Sequence, residues 1–307
     1  MHNKKYLGIE IGGTKLQIVS GYADGSLLSA KHFAVKKEQG AAGIRSTLEE
    51  IIQKEYQGND IAAAGVGFGG PVNRTTGTIE TSFQIEGWSG FALKEWLASV
   101  THLPVFIEND ANVAALGEAV HGIGKNYQNV LYITIGSGVG GGLVVNKKIY
   151  HGALPGEIEI GHIQMDRNGT TLQDKCSGWA VDEKIRAAAN KNPGGILAKL
   201  AKTQQDAAAM VLTEALNAND ADGLRIFEET TDDLAFGLSH AIHLLHPELV
   251  VLGGGLSFLG DVLQQSVAKK LPRYLMKAFA PGPPVRLSQL QEKAVPVGAL
   301  VLCSQQV

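Results

Sequence analysis

The segment PVFIENDANVAALGEAVH, Pro104–His121, joins an apolar run to a helical one through three polar residues. Leu103–Ile107 predicts a short strand, with Pro104 at its entrance where a missing N–H matters little. Glu108, Asn109 and Asp110 follow, and Ala114, Ala115, Leu116, Ala119 and Val120 predict a helix after them. A carboxylate and an amide therefore stand at the carboxyl end of a strand, where open α/β sheets place their ligands. Read alone, Asn109 or Asp110 is a helix cap, a position that both residue types favour. The other glycine-rich and acidic segments of the chain turn the reading toward a site.

Working outward, Tyr6–Ile11 and Lys15–Gly21 predict two strands joined by Gly12-Gly13-Thr14 as a hairpin. The turn signal Asp24-Gly25 precedes a third strand to about Val35. Ala41–Tyr56 predicts a helix, with Ile44, Leu48, Ile51 and Ile52 spaced for one buried face. Ile61–Phe68 is a buried strand ending in Gly69-Gly70-Pro71. The pattern restarts at Asn129–Ile135 and runs through Gly136-Ser137-Gly138-Val139-Gly140-Gly141-Gly142 into a strand at Leu143–Val145. Strand, glycine turn and strand thus occur twice, a weak internal repeat expected of two similar halves facing a cleft. Val181–His246 predicts mainly helix, and Leu249–Leu252 a strand before Gly253-Gly254-Gly255. A helix from Asp261 to about Leu271 comes next, and a last one at Val297–Ser304 packs back on the first lobe.

At 307 residues the chain suits two lobes and can bury a core without disulfides or metal. A net charge of −3 without a basic run argues against nucleic acid as partner. The distant Cys176 and Cys303 give no disulfide framework and suit a reducing cytoplasm. Polar Met1–Lys5 predicts no signal peptide, and no apolar run reaches membrane-spanning length. The 38 glycines are clustered, as expected where backbone is held close to ligands.

Gly65-Gly67-Gly70 and Gly136-Gly138-Gly141 match GxGxxG by letter, but a dinucleotide site requires each to open a helix. The first runs into Pro71-Val72 and the second into a strand, so neither qualifies. Gly13-Thr14-Lys15 lacks the first glycine of a P-loop. Hairpin turns that offer successive backbone N–H groups to phosphate fit better. Thr14, with Thr134 or Ser137, would add hydroxyls and Lys15 a charge. One such turn is ordinary. Two of them, with a third glycine run after a strand, are not.

In order along the chain stand GIEIGGTK (Gly8–Lys15), GVGFGGPV (Gly65–Val72), IENDANVAALGE (Ile107–Glu118), TIGSGVGGGLV (Thr134–Val144), EIGH (Glu159–His162) and VVLGGGLS (Val250–Ser257). This series resembles the ROK family of sugar kinases and repressors, within the actin/Hsp70/hexokinase superfamily. The resemblance implies an α/β fold of two actin-like (ribonuclease H-like) lobes, each a mixed sheet flanked by helices, around a central cleft. Residues 1–118 would form a small N-terminal lobe, with a C-terminal helix at 290–307 packing back on it, and 119–289 a large lobe. It also implies ATP with Mg²⁺ and phosphoryl transfer to a sugar, most simply the 6-hydroxyl of glucose, in a cytoplasmic homodimer. Asp110 would be the catalytic base. Gly70, Asn109, Glu159, His162 and Glu183 would contact the sugar alongside it. The nucleotide would lie on Gly12, Gly13, Thr14 and Lys15, on Thr134, Gly136, Ser137 and Gly138, and beside Gly254 and Gly255. Glu10 would hold Mg²⁺ through water, since Mg²⁺ keeps waters and takes few carboxylates.

Other readings of these residues stand beside it. Glu157, Glu159 and His162 also fit a solvated loop, and Trp88 fits packing as well as a pocket wall. Many ROK proteins bind structural zinc through three cysteines and a histidine. Here the corresponding Asp174–Glu183 keeps one of those cysteines, Cys176. Four nitrogen or sulfur ligands are the rule for structural zinc, so none is expected, and Trp179 is expected to bury its ring and hold the loop instead. Glu10 replaces the usual Asp, Gln84 an Asn expected at the sugar, and Ile158 a glycine before Glu159. Glucose, N-acetylglucosamine, N-acetylmannosamine and fructose all remain possible acceptors. Few residues precede Tyr6, so no DNA-binding module of the repressors is expected. A catalytically silent sugar-binding regulator and a chaperone-type ATPase are the alternatives.

Overall fold

The computed structural model describes residues 4–58, 60–82, 84–154, 156, 158–203 and 208–307. Strands β1 (Lys5–Ile11), β2 (Lys15–Tyr22) and β3 (Leu27–Ala34) form an antiparallel meander, followed by helix α1 (Gly40–Ile51), which continues as one π turn to Tyr56. Then come β4 (Ile61–Phe68), a small hairpin of β5 (Val72–Asn73) and β6 (Thr78–Ile79), α2 (Leu93–Thr101), β7 (Val105–Asn109) and α3 (Asp110–Val120). The first sheet has the order β3-β2-β1-β4-β7, with β1, β4 and β7 parallel.

The chain continues through β8 (Asn129–Ile135), β9 (Val139–Val145), β10 (Lys148–Ile149), α4 (Leu172–Cys176), α5 (Gly178–Lys191), α6 (Ile196–Thr203), α7 (Ala208–Asn217) and α8 (Ala221–Leu245). It closes with β11 (Leu249–Gly253), α9 (Asp261–Lys270), β12 (Val285–Leu287) and α10 (Ala294–Ser304). The second sheet has the order β10-β9-β8-β11-β12. The chain divides into two compact units: Met1–Gln128, Gly142–Glu157 and Glu292–Val307 in one, Asn129–Gly141 and Ile158–Gln291 in the other.

In the first unit, Leu7, Ile9 and Ile11 alternate onto the face covered by Ile44 and Leu48 of α1 and Leu93 and Leu97 of α2. The opposite face carries α10, whose backbone lies directly on strand glycines. A Cβ on Gly8 would stand 2.8 Å from the Pro296 carbonyl oxygen, and one on Gly65 2.3 Å from that of Ala299. Helix α3 is buried along almost its whole length and meets α10 through Gly117 and Gly298. Helix α10 therefore packs on α3 and on the sheet of the first unit.

Two strand limits differ from expectation. Strand β7 begins at Val105, because Pro104 supplies only its carbonyl (Ala64 N–H to Pro104 O, 2.9 Å), and pairing with β4 extends it to Asn109. Strand β9 starts at Val139 and takes in Gly140–Gly142, whose weak strand preference hid it.

The two-residue turn joining β9 and β10 places Asn146 (φ 50°) and Lys147 (φ 63°) in the left-handed region, where glycine is the usual second residue. Lys147 occupies it because its ammonium lies 2.8–3.3 Å from the carbonyl oxygens of Ala119, Gly124, Lys125 and Tyr127, at the carboxyl end of α3. A cation there also suits the helix dipole.

Two stability predictions follow from this packing. Gly298→Ala would bring a Cβ to 1.8 Å from the Val113 carbonyl oxygen, and should lose about 3 kcal/mol in denaturant unfolding. Lys147→Ala should lose about 3 kcal/mol, whereas Lys147→Gly, which forfeits the ammonium but relieves the left-handed strain, should lose about 1 kcal/mol less. Equal stability of both Lys147 variants with the wild type would contradict the caging of the ammonium.

Candidate active site

The register of three parallel strands brings the acidic residues of the first unit together. Glu10, Gly67 and Glu108 lie in one row across β1, β4 and β7, and Ile11, Phe68 and Asn109 in the next. Beyond that row the three strands end in Gly12-Gly13, Gly69-Gly70 and Asp110. Gly69, in the middle, adjoins both the hairpin turn and the Asp110 carboxylate. A Cβ on Gly69 would lie 3.4 Å from Asp110 Oδ2 and 3.5 Å from Gly12 Cα.

The turn is closed by Gly12 N–H donating to Lys15 O (2.9 Å), and Val35 N–H donates to Thr14 O (2.9 Å). Gln84, expected at the sugar, presses its amide oxygen against Gly13, where any Cβ would collide with it. Glu10 is buried, paired with Lys15 Nζ at 3.2 Å, and accepts from Gln17 Nε2 at 2.6 Å. Gln17, which the sequence reading did not single out, also donates to Glu292 O (3.1 Å). Burial pushes the Glu10 carboxyl up to about 7, against the pull of Lys15, and the negative charge of Asp110 adds to the rise.

Asn109 is the cap of α3 and a site residue at once. Its Oδ1 accepts from the N–H groups of Ala111 (2.9 Å) and Asn112 (3.3 Å), while Nδ2 donates to Gly70 O (3.2 Å). Its amide oxygen is thus committed to the helix, and only the second Nδ2 hydrogen is left for a sugar. The half-buried Asp110 opens the helix and accepts from Ala111 N–H at 2.8 Å through Oδ1. It sits in the first turn, where the dipole favours a negative charge. Trp88 is a packing residue, buried edge-on against Phe68 and Phe91 at 5.5 and 5.4 Å.

The second unit repeats the device. β8 and β11 are parallel, with Gly253 opposite Thr134. The Gly136-Ser137-Gly138 turn (Gly136 N–H to Gly138 O, 2.9 Å) follows β8, and the Gly254-Gly255 run follows β11. Gly254 has φ 79°, and a Cβ there would meet the backbone of Ile135 at 2.5 Å, so only glycine lets the two turns approach. Ser177 caps α5 (Ala180 N–H to Oγ, 3.1 Å), and Gly178 N–H donates to Gly136 O at 2.7 Å. The N-terminus of α5 therefore adjoins the second glycine turn.

Glu159, His162 and Glu183 are exposed; the first two flank a short turn on the start of β9, and Glu183 lies on α5. Ile158 stands in the left-handed region (φ 57°), where glycine is the usual residue. Glu157 lies outside the described residues. The ring of Trp179 is 51% exposed and does not hold the following loop, contrary to expectation. Backbone and caps do that work. Gln164 bridges Thr171, Thr171 and Asp174 form a capping box, and Cys176 buries its thiol under Thr230 O. Among the described residues no group of three His, Cys, Asp or Glu side chains could hold a metal ion.

Sequence reasoning missed one close pair. Glu108 is buried and accepts from His151 Nε2 at 2.6 Å. No local signal announces a partner 43 residues away.

Residues 6–306 match the ROK family. The chain is 30% identical to the glucokinase of Halalkalibacterium halodurans over 320 residues, covering 100% of this chain and 97% of that protein. It is 29% identical to the Thermotoga maritima glucokinase, covering 100% and 99%. Among solved structures, a ROK family glucokinase from Streptomyces griseus in complex with glucose and AMPPNP superposes with a TM-score of 0.86 at 29% identity, covering 98% of this chain and 99% of that one. Two mixed sheets flanked by helices, each with its glycine turn at the strand ends, and a match of this length agree: the chain belongs to the ROK family.

Proposed function

We propose that this protein is an ATP-dependent hexose kinase that transfers the γ-phosphoryl group to the 6-hydroxyl of glucose. The observation that carries the reading is Asp110 at the end of β7, with Gly69 adjoining both its carboxylate and Gly12 of the β1–β2 glycine turn. Phosphoryl transfer asks a protein to align an oxygen, screen charge and accept one proton. The sugar hydroxyl attacks the γ-phosphorus, the bond to the β–γ bridging oxygen breaks, ADP leaves, and the proton passes to Asp110.

The remaining residues serve alignment and screening. Gly12–Lys15 and Thr134–Gly138 offer backbone N–H groups, hydroxyls and one ammonium to the phosphates, and Gly254-Gly255 borders the adenosine. Asn109 and Gly70, with Glu159, His162 and Glu183 of the second unit, orient the sugar hydroxyls. The donor set of the first unit fits Mg²⁺, which takes one or two carboxylates and keeps waters: the buried Glu10 carboxylate stands within electrostatic reach of Asp110, with only Lys15 to offset its charge. Glu10 would hold the ion through water, and bound there it would neutralise charge on the β- and γ-phosphates.

The reading extends to a cytoplasmic homodimer, the assembly the family resemblance implies. Two buried free thiols, Cys176 and Cys303, support a reducing compartment. No helix among the described residues is long and apolar enough to cross a membrane.

Asp110→Asn keeps the acceptor for Ala111 N–H and removes the base. Turnover should fall by about 10³-fold, with glucose binding by calorimetry kept within a few-fold. Turnover within tenfold of the wild type would refute the base assignment.

A further inference from the structure

The pair formed by buried Glu108 and the partly exposed His151 lies one residue from the proposed base, and the resemblance assigns it no role. Glu108 is 4% exposed on the penultimate position of β7. Isolated in such a place, a carboxylate would be severely destabilising, so its partners are informative. Oε2 accepts from His151 Nε2 at 2.6 Å, a charge-assisted length when the imidazole is protonated. Oε1 accepts from the backbone N–H of Asn109 (3.1 Å) and from Nδ2 of Asn112 (3.3 Å). One carboxylate therefore ties the last strand residue to the first turn of α3, and Asp110 is the residue held between those ties.

His151 is itself fixed from outside the strand. It follows β10; the next residue, Gly152, accepts from Arg74 Nη2 through its carbonyl (3.0 Å), and Tyr150 N–H donates to Leu143 O (2.8 Å). At the other end of the same hairpin, Lys147 grips the carbonyls beyond α3. The β9–β10 hairpin is thus fastened at both ends of the helix that begins with Asp110. Stability alone would be served as well by apolar side chains of similar volume. A directional carboxylate–imidazole contact fixes orientation instead.

We propose that Glu108 and His151 are a positioning pair that sets the Asp110 carboxylate for proton acceptance, acting through the Asn109 backbone and Asn112. The proposal rests on the reading of Asp110 as base.

The test is steady-state kinetics of the full chain with MgATP and glucose, with thermal melting in parallel, on Glu108→Ala, Glu108→Gln, His151→Ala, His151→Gln, the double alanine variant and Asp110→Asn. A displacement of the base by a fraction of an ångström should lower kcat about 30-fold in Glu108→Ala and about tenfold in His151→Ala, with KM for ATP within about twofold of the wild type. His151→Gln, which keeps a donor at similar reach, should recover kcat to within about threefold, and the double variant should be no slower than Glu108→Ala. Should Glu108→Ala fail to fold, Glu108→Gln and the two His151 variants carry the same comparison. Unchanged kcat in Glu108→Ala and His151→Ala, while Asp110→Asn is inactive, would overturn the positioning role and leave the base assignment standing. So would additive losses, or a kcat that falls together with ATP affinity and melting temperature and is not rescued by His151→Gln. Full activity of Asp110→Asn would overturn both.

Discussion

The cap on α3 is the interaction on which the site depends. Asn109 turns its amide oxygen back onto the N–H groups of Ala111 and Asn112, and this fixes where the strand stops and the helix begins. Asp110 is the first residue past that corner. Because the helix it opens is buried along almost its whole length, the corner cannot move without repacking α10, which meets α3 through Gly117 and Gly298. A C-terminal segment nearly 190 residues away in sequence thereby helps to hold Asp110, the proposed base. The capping reading of Asn109 thus holds, and it leaves room for the proposed role of Asp110 beside it.

Small residues explain the remaining geometry. Gly8 and Gly65 let α10 lie on the sheet, and Gly254 lets two turns meet at the ends of β8 and β11. Each unit reaches the same solution separately: parallel strands end in glycine, and backbone N–H groups are left to face an anion. The clustering of glycine that marks the composition is therefore the imprint of backbone packed closely at strand ends and against α10.

Much of this was legible in the chain itself. Ile61–Phe68 and Asn129–Ile135 are strands over the limits their apolar runs predict, and the hairpin at Gly12–Thr14 forms as expected. The motifs then placed the chain in its family. What could not be read depended on distant partners or on conformations that composition hides. The β-strand preference of Val139–Gly142 is diluted by glycine, so the start of β9 was lost. Trp179 carries a large apolar ring yet stays half exposed, because Cys176 and a capping box already close the loop. Gln84 lies against Gly13. Lys147 stands where glycine is usual, and only the four carbonyls around its ammonium account for it.

The central claim is that these two glycine turns and Asp110 serve phosphoryl transfer to a sugar. The most direct measurement is ADP release by the purified protein with MgATP, across hexoses, N-acetylhexosamines and a blank without sugar. The account predicts release that depends on sugar, with glucose the preferred acceptor. Release at the same rate in the blank, or none with any sugar despite measurable sugar binding, would contradict it.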